Sequence, residues 1–502
     1  MIRFVIMFAA CGLLSGQPLT FQESRGKELY LRGRSLSGRP VTAHLRSAGA
    51  DIPAEQVPCA SCHGPDGRGR PEGGVDPSNI QWSALSGPAE VVHASGRRHP
   101  RYTDRSLLRA IAMGLDPAGN HLQPAMPQYQ LSREDFADLS AYLKRLDSSP
   151  DPGVSLDAID IGVILPPAGD TRQTRETVRA VLTAYFDRTN QKGGIFGRRI
   201  IARFLDLPTV SPDQLDLGDV FAGKEPFALA ASFVGPAAGR VAAQASEKQI
   251  PVVGAFTTLP PLDSLPNPYV FYLDGGAAAE CDALVEYLKK RFPTAPHRTA
   301  VIYSELPISS ALTTRVKEQL WQLGWPLPIE IAAQSSAPEE LARKLLDLRI
   351  DEVFDLRPAR DAINLLRSAG KLGLAAEFLL PASFADSTLW GTSPPDQRIA
   401  VAFSSLPSDR APQAVAEYRI LAEAIHVPAA RLLAEWRAIV CAKLLVLGLS
   451  TAGRDLTRQK LIDALEGLYK FETGLSPPLT YGPNQRIGIA QDRVVVREPD
   501  VR

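Results

Sequence analysis

The chain has 502 residues, 45% hydrophobic and 22% charged, with 55 Lys and Arg against 55 Asp and Glu and a pI near 7.1. That length supports two or three separately packed cores, because single cores stop growing at about 250 to 300 residues. Balanced charge without a long basic run gives no electrostatic basis for tracking phosphates, which sets nucleic acid aside as a partner.

The N-terminus reads Met1-Ile2-Arg3, an apolar run over residues 4–10, then Cys11-Gly12. A short positive region followed by a short apolar one predicts an export signal over residues 1–21 and a periplasmic location. It is too short for a bilayer span, which needs about 20 apolar residues. Phe8-Ala9-Ala10-Cys11 also resembles a lipobox, so lipidation at Cys11 and plain cleavage both stand open. A lipid anchor at Cys11 is the single membrane attachment this sequence suggests. The most apolar later stretch, residues 438–449, carries Lys443 and reads as a buried core helix. Of the five cysteines, Cys281 and Cys441 lie outside any motif, and a disulfide between them or two buried thiols are both compatible with the pattern.

Cys59-Ala60-Ser61-Cys62-His63 fits the C-x-x-C-H pattern of c-type haem attachment. Two thiols three positions apart on one turn each reach a vinyl group of the macrocycle, and the imidazole of the next residue then lies under the iron. A zinc site needs two further ligands at matching spacing, and a redox Cys pair needs a βαβ context; neither pattern is present. "GKELYLRG" before this motif and "LQPAMPQYQLSREDFADLSAYLKRL" after it reinforce the reading. Residues 22–147 thereby resemble a class I cytochrome c, an all-α domain. The resemblance implies one covalent haem c, bound through Cys59 and Cys62, with His63 and Met126 as axial metal ligands.

Met113, in "LLRAIAMGLD", sits at helical apolar spacing and reads as core packing rather than as a ligand. His93, His99 and His121 read as solvated loop residues, with bis-histidine ligation as the lesser alternative. Ser132 followed by Asp135 marks a helix start, whose apolar face runs Phe136, Leu139, Tyr142, Leu143 and Leu146. In the family this helix crosses the first one, with Gly26 and Tyr30 at the close contact. Between Tyr30 and Cys59 the chain carries a long segment where small family members have a few residues; it is expected to cover a haem edge or to touch the second domain. Arg97, Arg98, Arg101, Arg105 and Arg109 form a basic group suited to haem propionates, to an acidic partner, or simply to solvent.

Residues 147–157 are polar and punctuated by Pro150, Pro152 and Gly153, a linker composition, with the domain boundary assigned to 148–157. From Ile159 onward buried-strand runs alternate with amphipathic stretches: "IDIGVILP", "RIIARFLD", "FALAASFVG", "IPVVGAF", "TAVIYS", "EVFDLR", "EFLLP", "IAVAFSS". This alternation predicts parallel sheets covered by helices, and its extent is too great for one sheet, so two α/β lobes are expected. "AYFDRTNQKGGIFGRRIIARFLD", "ASFVGPAAGRVAAQASEKQIPVVGAFTT" and "FETGLSPPLTYGPNQRIGI" resemble the type I periplasmic solute-binding proteins of the branched-chain amino-acid group, over residues 158–497.

That resemblance implies a small-molecule ligand held between the lobes, with Ser232, Gly235, Thr257 and Thr258 at the matching first-lobe loop ends. Phe256 stands where a small residue is usual, and "LLPASFADS" lacks the acidic residue that pairs with an α-ammonium group. The implied ligand is therefore not an amino acid. Ser309-Ser310 and Ser404-Ser405 lack a hydrolase elbow, and His297 and His426 stand alone and read as surface residues. The combined expectation is a periplasmic one-electron carrier, in preference to an oxidoreductase acting on a solute held between the lobes, whose binding-protein domain docks it or senses a solute. A quinoprotein dehydrogenase and an oxidase are its expected redox partners by analogy. The alternative is the substrate-binding component of an ABC transporter with an accessory cytochrome.

Overall fold

A computed structural model describes residues 19–69, 75, 77–87, 90–93, 96–146, 151–166, 172–208, 210–260, 266–293, 297–333, 337–385, 389–394, 397–424, 433–454, 456–489 and 491–498. Cys11, His426 and all of the expected export signal but residues 19–21 lie outside them, and those three residues lead into and open the first helix rather than forming a separate segment. The chain divides into two compact units, Met1–Asp151 and Pro152–Arg502. No helix among the described residues is long and apolar enough to cross a membrane.

In the first unit, helix α1 (Phe21–Arg32) starts on a Thr20 capping box and ends at Gly33, which takes the left-handed conformation at φ 66°. A hairpin follows, β1 (Thr42–Leu45) and β2 (Ala50–Pro53), then the short helix α2 (Cys59–His63). Helix α3 (Asp104–Met113), strand β3 (Gln128–Gln130) and helix α4 (Arg133–Arg145) complete the set that matters for the site. Helices α1 and α4 cross at Gly26, where an ideal Cβ would stand 2.0 Å from the Asp138 carbonyl oxygen. Beside that crossing the Tyr30 and Tyr142 rings meet at 5.6 Å, so the close contact falls on the residues the family pattern implies. The predicted apolar face of α4 holds: Leu139, Tyr142 and Leu143 are buried, and Phe136 and Leu146 pack on the same core. Ser132 caps the helix, its hydroxyl accepting from the Asp135 amide at 3.1 Å.

The segment between α1 and α2 adds a small sheet, in order β2-β1-β3, to the helical core. The hairpin pairs with the strand that follows Met126. Helix periodicity carries no signal for a pairing between segments so far apart in the chain.

The second unit holds two sheets. The first contains β4 (Ala158–Ile164), β5 (Arg199–Leu205), β6 (Ala228–Phe233), β7 (Val252–Phe256) and β8 (Val270–Tyr272), all parallel, in order β8-β7-β6-β4-β5. The second contains β9 (Thr299–Tyr303), β10 (Ile329–Ala332), β11 (Glu352–Leu356), β12 (Glu377–Pro381), β13 (Ile399–Phe403) and β14 (Arg493–Arg497), in order β10-β9-β11-β12-β13-β14. Strand β14 runs antiparallel to β13, whereas the other described pairs of this sheet are parallel. The interior strands are near-continuous apolar runs because helices cover both faces.

Helix Leu433–Ala452 packs against the first sheet, so the apolar stretch at 438–449 is a core helix, with Lys443 donating to the Thr473 carbonyl at 2.8 Å. Its approach requires glycine at 254: φ is 76°, and an ideal Cβ would lie 2.0 Å from Cys441 Sγ. Gly194, at φ 63°, turns the chain from helix Arg172–Gln191 into β5. The last crossover touches both sheets, since the Tyr272 amide donates to the Arg486 carbonyl and β14 pairs with β13. Cys281 and Cys441 are free buried thiols in separate clusters, so no disulfide joins them.

Candidate functional site

A proline at 58 precedes the short helix α2, which sets Cys59 and Cys62 one turn apart and buries His63 directly after them. His63 Nδ1 donates to the Ser78 carbonyl at 2.9 Å, which fixes the ring and leaves Nε2 as the nitrogen able to bind a metal. Burial lowers its pKa, holding the imidazole in the neutral form that ligation needs. Tyr30 donates its hydroxyl to the Gly64 carbonyl at 2.6 Å, tying the end of this turn to α1.

On the other side the Met126 loop crosses between α3 and β3, closed by the Met126 amide donating to Gln123 at 3.0 Å. Cys59, Cys62, His63 and Met126 all line one cavity of about 530 Å³, walled by Ile80, Leu85, Leu107, Ile111, Leu139 and Leu143. Two thiols, an imidazole and a thioether around a haem-sized apolar cavity fit an iron porphyrin in donor chemistry and in volume.

Three expectations need correction. Met113 does not pack in the core: it is 57% exposed, at the last position of α3 before the left-handed Gly114, where the helix has left the apolar interior. It does not line the cavity, so it is not a ligand either. His93 and His99 are not solvated loop residues. His99 is buried, lines the cavity with His93, and their Nε2 atoms meet at 2.9 Å; of the three, only His121 is exposed. His297 is not an isolated surface residue; it pairs with the buried Glu352 and lies against the Phe292 ring at 3.9 Å.

The arginine group splits. Arg97 lines the cavity, donates to Asp116 at 2.8 Å and reaches His93 at 2.9 Å, while Arg109 donates to the Asp116 and Pro117 carbonyls. Arg98, Arg101 and Arg105 are exposed. Asp116 is fully buried; burial opposes its charge, but donors from Asn120 and Arg97 hold its carboxyl below the ordinary value. Asp116, and the pair formed by buried Asp138 with Arg25 at 2.6 Å, carry no motif in the sequence.

In the second unit the four expected loop positions fall together at the ends of β6 and β7. Ser232 is fully buried, its hydroxyl donating to the Ala230 carbonyl at 3.1 Å and accepting from the Ile164 amide at 3.3 Å. Thr257 donates to the Gly235 carbonyl at 3.2 Å. The Thr258 carbonyl oxygen lies 2.7 Å from where a Cβ on Gly276 would stand. Phe233 and Phe256 bring their rings to 4.7 Å at the same strand ends. A buried acidic group was missed by the sequence reading: Glu280 accepts from the Ser383 amide at 2.8 Å, near Asp274, Asp492 and Arg437. Burial pushes Glu280 up to about 7 and Asp492 up to about 8.

A haem-type donor set on a small helical unit, followed by a two-sheet α/β unit, defines a cytochrome joined to a solute-binding protein. Residues 158–497 match the family model of the periplasmic binding proteins, and residues 48–147 match that of cytochrome c. The chain belongs to the periplasmic binding protein family and carries a cytochrome c domain ahead of the binding-protein fold.

It resembles a fatty acid ABC transporter substrate-binding protein from Thermomonospora curvata (17% identity, 70% of this chain and 94% of that one, TM-score 0.54). It also resembles a possible leucine/isoleucine/valine-binding protein from Rhodopirellula baltica (19% identity, 70% and 97%, TM-score 0.55). A third is a branched chain amino acid ABC transporter protein from Thermus thermophilus with bound valine (15% identity, 68% and 93%, TM-score 0.55). These likenesses concern the fold. No curated protein matches the chain.

Proposed function

We propose that this protein is a one-electron carrier whose binding-protein unit docks it or senses a small molecule. The observation that carries the reading is the convergence of Cys59, Cys62, His63 and Met126 on one apolar cavity. In this reading the two cysteines would hold one haem c covalently and His63 and Met126 would be its iron ligands. A haem so ligated supplies a reversible ferric/ferrous couple, shifted positive by the soft thioether. The chain's own part is to keep the imidazole neutral by burial and oriented through the Ser78 carbonyl, to exclude water with the aliphatic wall, and to offer Arg97, His93 and His99 to the porphyrin carboxylates. With both His63 and Met126 bound to it the iron would have no open position for a substrate, which favours a carrier working with redox partner proteins over an enzyme.

Gly235, Thr257 and Thr258 mark the first-lobe side of the solute cleft, where Phe233 and Phe256 favour an apolar small molecule over an amino acid; Ser232, expected among them, is instead fully buried with its hydroxyl engaged by Ala230 and Ile164. Met126→Ala tests the haem reading: the ferric protein should lose its methionine-to-iron charge-transfer band, and an unchanged band would overturn the ligand assignment. The substrate-binding component of an ABC transporter is the second reading, supported by the two-sheet fold and its neighbours. It predicts micromolar or tighter binding of one solute with lobe closure seen by small-angle scattering. Solute-independent scattering and melting would count against it.

A further inference from the structure

The hairpin inserted between α1 and α2 is built against the methionine loop. Its strand β1 pairs with β3 in the register Thr42↔Gln130, Ala43↔Tyr129 and His44↔Gln128, which begins two residues after Met126. Just past the end of β1, Arg46 sends Nη2 to the Leu122 and Gln123 carbonyls, at 2.8 Å each. Gln123 is the residue whose carbonyl also accepts the Met126 amide, so the guanidinium holds the turn that presents the thioether. At the other end of the loop Tyr129 donates its hydroxyl to the Val57 carbonyl at 2.5 Å, two residues before Cys59. The insertion thus ties the segment carrying the cysteines to the segment carrying the methionine.

We infer that the hairpin is a brace for the distal ligand, and that Arg46 is the positioning residue that keeps Met126 in place against competing ligands. The inference rests on the assignment of Met126 as sixth ligand. The thioether is neutral and exchanges readily, so its hold depends on how much of the time the loop presents it. Two charge-assisted hydrogen bonds to adjacent carbonyls are the kind of contact that decides this. The guanidinium reaches both acceptors from one nitrogen, so a lysine keeps the charge and can retain part of the hold from its shorter, freer stem.

The test uses the holoprotein in wild-type, Arg46→Ala, Arg46→Lys and Met126→Ala forms. Imidazole is titrated into the ferric protein, and amide hydrogen exchange is followed for residues 120–127. Arg46→Ala is expected to bind imidazole about tenfold more tightly, the effect of losing such a bond pair. Its residues 120–127 should exchange faster while residues 59–69 stay as in the wild type, and Arg46→Lys should fall between. Imidazole affinity and exchange within about twofold of wild type in Arg46→Ala would overturn the brace while Met126→Ala still raises affinity. If Arg46→Ala does not fold, Arg46→Lys alone decides by the same two readouts. An unchanged affinity in Met126→Ala would instead sink the ligand assignment, and the brace with it.

Discussion

Gly26→Ala gives the sharpest test of how the haem unit is held together. Helix α1 crosses α4 at this glycine, and an ideal Cβ would stand 2.0 Å from the Asp138 oxygen, 2.6 Å from its carbonyl carbon and 2.8 Å from Tyr142 Cβ. Ordinary van der Waals contact begins near 3.4 Å, and two of these three atoms are backbone, so a side-chain rotation does not relieve the clash. Alanine gains about 1 kcal/mol in helix propensity over glycine. Overpacking of a close crossing costs about 1 to 3 kcal/mol, and contact with rigid backbone puts this site at the upper end.

The helices must part, which also loosens the Tyr30 hydroxyl from the Gly64 carbonyl, now 2.6 Å away. The net expectation is a loss of about 2 kcal/mol in the stability of the first unit. Guanidinium unfolding of the holoprotein, followed at the haem Soret band, reads that unit directly. A variant as stable as the wild type would refute the reasoning.

In the second unit, Gly254→Ala meets Cys441 Sγ at 2.0 Å from a backbone at φ 76°, so thermal unfolding should show a loss of at least about 2 kcal/mol. Gly254→Ala combined with Cys441→Ala should recover the part due to the sulfur and leave the parts due to the Cys441 Cβ contact at 2.7 Å and to the backbone. Glu280, 1% exposed, has a folded value of about 7 against an ordinary 4.5. A raised acid binds its proton more tightly when folded, so its contribution is fully present below about pH 4.5 and is lost as pH rises through about 7. The loss is on the order of 3 kcal/mol. Glu280→Gln should flatten that slope in melting curves between about pH 4.5 and 7; an unaltered slope would show that Glu280 titrates normally. Asp116 runs the other way: its lowered value makes its stability present above about pH 4 and lost on acidification, so Asp116→Asn should make the haem unit less sensitive to acid unfolding.

Local chemistry was legible in the sequence, and long-range pairing was not. C-x-x-C-H announces itself because the chemistry fits on one turn, and α2 places those residues as the spacing requires. The buried strands of the second unit read almost residue for residue, as at Glu377–Pro381, because a strand covered on both faces is apolar throughout. Met113 shows where periodicity misleads: the apolar spacing of α3 continues to its last residue, but Gly114 ends the helix clear of the core. His99 shows the converse, since it is buried by a tertiary contact with His93 and by the Tyr102 ring at 5.0 Å, which its polar neighbourhood conceals. The β1–β3 ladder and the Arg46 clamp depend on a register between distant segments, and composition carries no trace of it. The same holds for the acidic group around Glu280, which separate stretches of chain assemble.

The central claim is that a porphyrin is fixed to this chain through Cys59 and Cys62 beneath His63. Intact mass measured after denaturation of the exported protein tests it most directly. One retained haem on the wild type, and none when Cys59 and Cys62 are both replaced by alanine, is the result expected. A colourless wild-type protein whose denatured mass equals the polypeptide alone would contradict it.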